Sequence, residues 1–80
     1  MRLLGQIAHP TLLISVFKSA GKIILKFEIG PFEQTYKFLE TEKLYDSTTA
    51  EKIVDEELLA KVFKIFDQMN AEYQQLCKKI

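Results

Sequence analysis

The sequence predicts an α+β fold in which a four-stranded antiparallel β-meander is followed by a long C-terminal helix packed on one face of the sheet (ββββα). Three turn signals, His9-Pro10, Ala20-Gly21 and Gly30-Pro31, divide residues 2–39 into four short segments rich in β-branched and aromatic residues. After residue 55 the apolar residues recur at spacings of three and four, which indicates an amphipathic helix. We therefore interpret residues 1–80 as a single domain, with strands within 2–39, a connection over 40–54 and a helix over about 55–79.

The strand register follows if each turn contains two residues, because antiparallel partners then share a face of the sheet. In this register Phe17 lies opposite Ile24. One face, which we call the helix face, is predicted to collect Leu3, Gly5, Ile7, Leu12, Ile14, Val16, Ile23, Leu25, Phe27, Ile29, Phe32, Gln34, Tyr36 and Phe38. Gly5 leaves room either for a large helix side chain, such as Phe63 or Phe66, or for a β-bulge.

The other face, which we call the open face, mixes apolar and charged side chains. Its candidate partner surface combines three apolar residues with three lysines: Leu13, Phe17, Ile24, Lys22, Lys26 and Lys37. An apolar patch on a single-layer sheet is typical of a surface that binds a partner. The lysines and Phe17 are also the ingredients of a single-stranded nucleic-acid platform, with cations for phosphate and a ring for base stacking. However, 11 basic and 11 acidic residues cancel, so no overall field attracts nucleic acid.

The connection over 40–54 contains signals for the start of a helix. Thr48 and Glu51 fit a capping box, which predicts a helical turn from about Thr49, and Asp55 offers a second N-cap. The helix is therefore either continuous or broken near Asp55. Residues 46–49 are expected to form the mobile tip of the connection.

The apolar stripe of the C-terminal helix narrows after its midpoint. The last members of the stripe form a candidate dimer seam, Met69, Tyr73, Leu76 and Ile80. A helix over 55–79 is ~37 Å long, whereas strands of seven or eight residues reach only ~25 Å, so the helix should overhang its sheet. We expect a homodimer in which this seam packs against its symmetry mate or the mate's sheet. The alternative is that the seam is only the tapering end of a core helix.

The sequence contains little material for catalysis or for holding a metal or cofactor. The one histidine, His9, is expected to cap an exposed turn, and the one cysteine, Cys77, lies near the end of the helix, so neither a Cys-His pair nor a structural zinc site is predicted. Glu28 and Glu33 face each other in the assumed register, which would suit acid-base work or a cation, but nearby Lys26 favours two solvated carboxylates instead. We expect no catalytic, metal-binding or cofactor-binding residues, and no enzymatic activity.

The expected location is the cytoplasm. A single cysteine excludes an intramolecular disulfide and is consistent with a reducing compartment. Polar residues and Pro10 interrupt the first ten residues before the apolar core of a signal peptide could form. The longest near-apolar run, 12–17, is far shorter than the ~20 residues that span a bilayer, so no membrane insertion is expected.

Two stretches, KIILKFEIGPFEQTYKF and DEELLAKVFKIFDQMNAEYQQL, resemble short bacterial proteins with a four-strand block followed by a helix, to which no activity is assigned. At the level of architecture, four meander strands and one helix in a dimer look like the Whirly and coactivator type of single-stranded-DNA-binding fold. That type presents a basic, aromatic sheet surface, whereas this chain is neutral overall. The sequence thus predicts a small non-enzymatic, homodimeric protein-interaction module with an unidentified protein partner, and single-stranded nucleic-acid binding through the open face is the alternative.

Overall fold

The protein is described over all of residues 1–80 by a computed structural model, and it contains one sheet and two helices. The elements are β1 (Arg2–Ile7), β2 (Leu13–Ser19), β3 (Lys22–Ile29), β4 (Phe32–Leu39), α1 (Ser47–Ile53) and α2 (Glu56–Cys77). The sheet order is β1-β2-β3-β4, and each strand is antiparallel to the next. The predicted four-stranded meander followed by a C-terminal helix is confirmed.

The two later turns of the sheet contain two residues each, as predicted. Ala20 and Gly21 both have positive φ angles, 49° and 74°, which is the combination of a type I′ hairpin turn. Gly30 has a φ of 54° and is followed by Pro31, a pair that suits a type II′ turn because proline supplies the negative φ at its second position. These turns twist in the same sense as the strands, so they hold the register of β2, β3 and β4.

The register of these three strands agrees with the prediction. Phe17 pairs with Ile24, and Ile24 pairs in turn with Lys37. Glu28 and Glu33 are opposite each other beside the last turn. The assignment of side chains in β2, β3 and β4 to the helix face or the open face is therefore as predicted.

The register of β1 differs from the prediction. The connection from β1 to β2 spans residues 8–12 instead of two residues, and Ile7 pairs with Ile14. A bulge between Leu3 and Gly5 shifts the pairing once more, so Leu3 lies opposite Phe17 on the open face and not on the helix face.

The longer connection has a physical cause in two of its residues. Leu12 leaves the strand and is buried in the core, with 4% of its surface exposed. The Nδ1 atom of His9 accepts hydrogen bonds from the backbone N–H groups of Thr11 (3.1 Å) and Leu12 (3.0 Å). His9 is thus a capping histidine, as expected, but it is half-buried because its ring lies 5.8 Å from that of Phe63.

α1 begins at Ser47, two residues before the start at about Thr49 that the Thr48–Glu51 capping box predicts. Its N-cap is Asp46, whose carboxylate accepts from the Thr49 N–H (2.8 Å), while the Thr49 hydroxyl accepts from the Asp46 N–H (3.0 Å). The Thr48–Glu51 box is therefore wrong, since an aspartate two residues upstream supplies a better acceptor to the helix N-terminus. Residues 46–49, expected to form the mobile tip of the connection, contain the N-cap and the first residues of α1, and Thr49 is buried.

α2 begins at the second predicted cap. Asp55 accepts a hydrogen bond from the Leu58 N–H at 2.8 Å, and Val54 before it has non-helical backbone angles, so the two helices are separate. α2 ends at Cys77, two residues before the predicted end at residue 79.

The core lies between the helix face of the sheet and the two helices. Its nine buried members are Leu12, Ile14, Val16, Ile23, Leu25, Phe27, Ala50, Val62 and Phe66. Gln34 is also buried on this face, and its side chain joins β4 to α2 because Nε2 donates to the Val62 carbonyl at 2.9 Å. The Tyr36 hydroxyl donates to the Gln34 Oε1 atom at 2.6 Å, so both ends of the buried amide are paired.

Gly5 lies where the start of α1 packs against β1. A Cβ atom at this position would be 3.1 Å from the Cβ of Ser47, the first residue of α1. Gly5 therefore makes room for α1, and the expectation that Phe63 or Phe66 occupies this space is wrong. The alternative expectation of a bulge at this glycine is right.

The C-terminal part of α2 extends past the sheet. From Asn70 to the C-terminus only Cys77 is half-buried, and every other residue is exposed. The molecule is 46 Å along its longest axis, well beyond the ~26 Å that an eight-residue strand reaches. Neither helix combines the length and the apolar character that crossing a membrane requires.

Candidate functional site

All members of the candidate partner surface lie on the open face. Leu13 and Phe17 belong to β2, Lys22, Ile24 and Lys26 to β3, and Lys37 to β4. The pairing of Phe17 with Ile24 and of Ile24 with Lys37 places three of them in one row across the sheet. No residue of the open face belongs to the core cluster.

The exposed apolar surface of the open face differs from the predicted one. Ile24 is only 5% exposed although no helix covers it, because it lies in the interior of the sheet among longer side chains. The large apolar exposures are at the rim, at Leu13 (46%), Leu3 (53%) and Leu39 (73%). Leu3 was not predicted to belong to this surface. It faces this side because of the bulge in β1, and the only sequence signal for that bulge is Gly5.

The charges of the open face are partly paired. The Lys26 ammonium lies 3.1 Å from a Glu33 carboxylate oxygen and 3.4 Å from a Glu28 oxygen. The hydrogen bond that Lys26 donates to Glu33, together with the negative charges of Glu28 and Glu33, raises the pKa of Lys26 above its ordinary value. Lys22 and Lys37 make no ion pair. Lys26 thus contacts both facing carboxylates and balances one of their two negative charges, while Lys22 and Lys37 keep an unpaired charge.

A second apolar surface lies beside the overhanging part of α2. We call it the tail groove. It has a volume of about 400 Å³ and is lined by Phe32, Ile65, Gln68, Met69, Glu72, Tyr73 and Leu76. The rings of Phe32 and Tyr73 meet edge to face with their centroids 5.3 Å apart, which joins the start of β4 to the tail of α2.

Three of the four residues of the candidate dimer seam line the tail groove. They are Met69, which is half-buried, Tyr73 (40% exposed) and Leu76 (58% exposed). Ile80 does not belong to the groove, because α2 ends at Cys77 and Ile80 follows it fully exposed. Phe32 of β4 also lines the groove but was not predicted to do so. Its position in the strand pattern predicts its face of the sheet, but not where α2 crosses that face.

The remaining reactive side chains do not gather into a cluster. No three His, Cys, Asp or Glu residues lie close enough together to hold a metal ion. Cys77 is a half-buried free thiol on the last turn of α2, and His9 lies in the connection between β1 and β2.

No protein-family model matches this chain, and neither a curated protein nor a solved structure matches it.

Proposed function

We propose that the protein is a small protein-interaction module that carries out no catalysis and works as a homodimer in the cytoplasm. The observation that supports this most is the tail groove, where Ile65, Tyr73 and Leu76 of α2 are each at least 39% exposed beside Phe32. Contiguous exposed apolar surface of this kind marks contact sites, because leaving it in water is unfavourable. A domain of this length also gains stability by burying more surface on association.

The tail of α2 is expected to hold the dimer together. Replacing Leu76 and Ile80 by glutamate (L76E/I80E) introduces charge into the groove and beside it, which should convert the dimer into a monomer of 9.3 kDa. Size-exclusion chromatography with light scattering over a dilution series measures the mass directly.

The matched control adds the same two charges to the same segment outside the groove. Gln74 and Gln75 are exposed and do not line the groove, so the Q74E/Q75E variant should remain a dimer. A wild-type mass of 9.3 kDa at every concentration would contradict the homodimer. An unchanged dimer in L76E/I80E would remove the tail from the interface.

The open face remains available for a protein partner in this proposal. Leu13 and Leu39 offer exposed apolar contacts, and Lys22 and Lys37 offer unpaired positive charge. A mixed surface of this type suits a partner with apolar and acidic side chains.

Single-stranded nucleic-acid binding is the second candidate function for the same face. It is supported by the unpaired charges of Lys22 and Lys37 on the face that also presents Phe17. It predicts salt-sensitive, micromolar binding of an unstructured oligonucleotide, which should be lost when Lys22, Lys26 and Lys37 become glutamate. Fluorescence anisotropy at low salt measures the binding.

The control variant replaces three lysines outside the open face by glutamate, which changes the net charge of the protein by the same amount. Lys43, Lys52 and Lys64 lie outside the open face and make no ion pair, so their replacement by glutamate should preserve most of the binding. The absence of any binding by the wild type at low salt would reject the nucleic-acid function and leave the open face to a protein partner.

A further inference from the structure

The two edges of the sheet differ in whether another strand could pair with them. β1 is short, carries the bulge between Leu3 and Gly5, and has α1 against it through Ser47. A bulge and a covering element are the usual means by which proteins prevent edge pairing. β4 has eight residues, no register shift, and no strand on its outer side. β4 is therefore the edge that can accept a strand.

The backbone groups of β4 that point outward can be identified from its hydrogen bonding. The Glu40 N–H, just past the strand, donates to the Gly21 carbonyl at 2.9 Å, so Glu40 faces β3. Inward and outward residues alternate along an antiparallel strand. Glu33, Thr35 and Lys37 consequently present their N–H and C=O groups to solvent at the edge.

These three residues are complementary to their own copy. When two β4 strands pair antiparallel around a two-fold axis at Thr35, Thr35 meets Thr35 and Glu33 of each copy meets Lys37 of the other. The outward backbone groups then form about six hydrogen bonds between the chains. Lys37 makes no ion pair within its own chain, so it is free to meet this carboxylate. Registers shifted by two residues in either direction lose both charge pairs.

The same register brings apolar side chains together on the helix face. It places Phe38, which is 37% exposed, opposite Phe32 of the second copy. Phe32 lines the tail groove and contacts Tyr73, so Phe38 of one copy arrives beside the groove of the other. Pairing of the two β4 strands therefore brings apolar residues of one copy next to the exposed tail of α2 in the other.

We propose that the occupant of this edge is a second copy of the chain, and that the two β4 strands pair antiparallel about Thr35 into a continuous eight-stranded sheet, with the Glu33–Lys37 pairs selecting the register. This inference rests on the proposed homodimer and specifies its interface. In this dimer Phe38, near the C-terminal end of β4 in each copy, lies beside the tail groove of the other copy.

The test exchanges the charges of the edge. Glu33→Lys and Lys37→Glu each place like charges opposite each other twice across the axis, so each single variant should dissociate at concentrations at least about tenfold higher than the wild type does. The double variant E33K/K37E restores opposite charges and should regain the wild-type mass, twice 9.3 kDa, by light scattering over a dilution series.

Mixing the two single variants gives the sharpest result. Each E33K chain then meets opposite charges on a K37E chain at both positions, so the mixture should form a heterodimer although neither variant dimerises alone under the same conditions. With one of the two variants labelled uniformly with nitrogen-15, native mass spectrometry distinguishes the heterodimer from both homodimers by mass. Lys22→Glu is the matched control, because Lys22 lies on the same face in an interior strand and makes no ion pair, and it should leave the dimer unchanged.

The possible outcomes separate this inference from the function on which it rests. A wild-type dimer that persists unchanged in both single variants, or single variants that neither the double variant nor mixing restores, would overturn the pairing of β4 while leaving the homodimer in place. A monomeric wild type would overturn both. Circular dichroism of E33K tests whether the chain stays folded when its contact with Lys26 is lost.

Discussion

At the scale of single residues, a few polar side chains decide where the chain changes direction. Asp46 is the clearest example, because it receives both the N–H and the hydroxyl of Thr49 (each 2.8 Å) and so ends the extended connection and begins α1. These hydrogen bonds from Thr49 lower the pKa of Asp46 below its ordinary value. The ionised carboxylate is therefore the form that stabilises the fold.

The pH dependence of stability should reveal this cap. Because the folded-state pKa of Asp46 is depressed, its contribution is complete above its unfolded pKa of about 4 and is lost as the pH falls through the folded-state value. Asp46→Ala should lower the melting temperature at pH 7, and its difference from the wild type should shrink below about pH 4. Thermal unfolding followed by circular dichroism over this range measures the difference.

Asp46→Asn separates the charge from the acceptor. The amide oxygen still caps the helix but does not titrate, so this variant should be less destabilised than Asp46→Ala at pH 7. If the difference in melting temperature between the wild type and Asp46→Ala stayed constant down to pH 2, the charge of the Asp46 carboxylate would not contribute to the stability of the fold.

At the scale of elements, β4 and α2 are joined by a polar contact inside an otherwise apolar layer. Gln34 is 7% exposed and donates to the backbone carbonyl of Val62, which fixes where α2 crosses the sheet. The position of this crossing also decides which side chains of α2 remain uncovered. The tail groove thus depends on a contact that lies outside the groove.

Removing the buried amide should weaken the attachment of α2. Gln34→Leu keeps the volume but deletes the bond to the Val62 carbonyl and leaves the Tyr36 hydroxyl without its acceptor, which should lower the free energy of unfolding by about 1–2 kcal/mol. Tyr36→Phe removes only the outer hydrogen bond and should cost less, about 0.5–1.5 kcal/mol. Urea unfolding followed by circular dichroism compares them.

Gln34→Glu provides the opposite test of the same contact. An ionised carboxylate would be buried facing the Val62 carbonyl without a proton to donate, so this variant should be less stable than Gln34→Leu at pH 7 and should recover as the pH falls. Equal stability of the two variants at every pH would show that the amide does not donate to α2.

At the scale of the whole molecule, one sheet of four strands is covered on one side only and carries a helix longer than itself. The covered side contains every member of the core cluster, including Val62 and Phe66 from α2. The open face, the tail groove and the edge of β4 remain in contact with solvent. Of these surfaces, the groove and the edge meet at Phe32, which is why the pairing of two β4 strands accounts for both.

Most of the fold followed from local patterns in the sequence. The alternation of side chains and the two-residue turns at Ala20-Gly21 and Gly30-Pro31 determine which residues of β2, β3 and β4 share a face, because each step along a strand reverses the side chain. The spacing of apolar residues after Asp55 likewise determines α2. These features depend on residues close in the sequence, so they can be derived from it.

Only the tertiary structure decided the features that depend on distant residues. The bulge of β1 lies next to Gly5, where Ser47 of α1 packs against the strand, and Leu12 of the first connection is buried in the core instead of forming a tight turn. The crossing of α2 over Phe32, and with it the composition of the tail groove, is set by packing that no local pattern contains. The sequence by itself therefore determined the elements and their faces, whereas the contacts between elements determined which of those faces stay exposed.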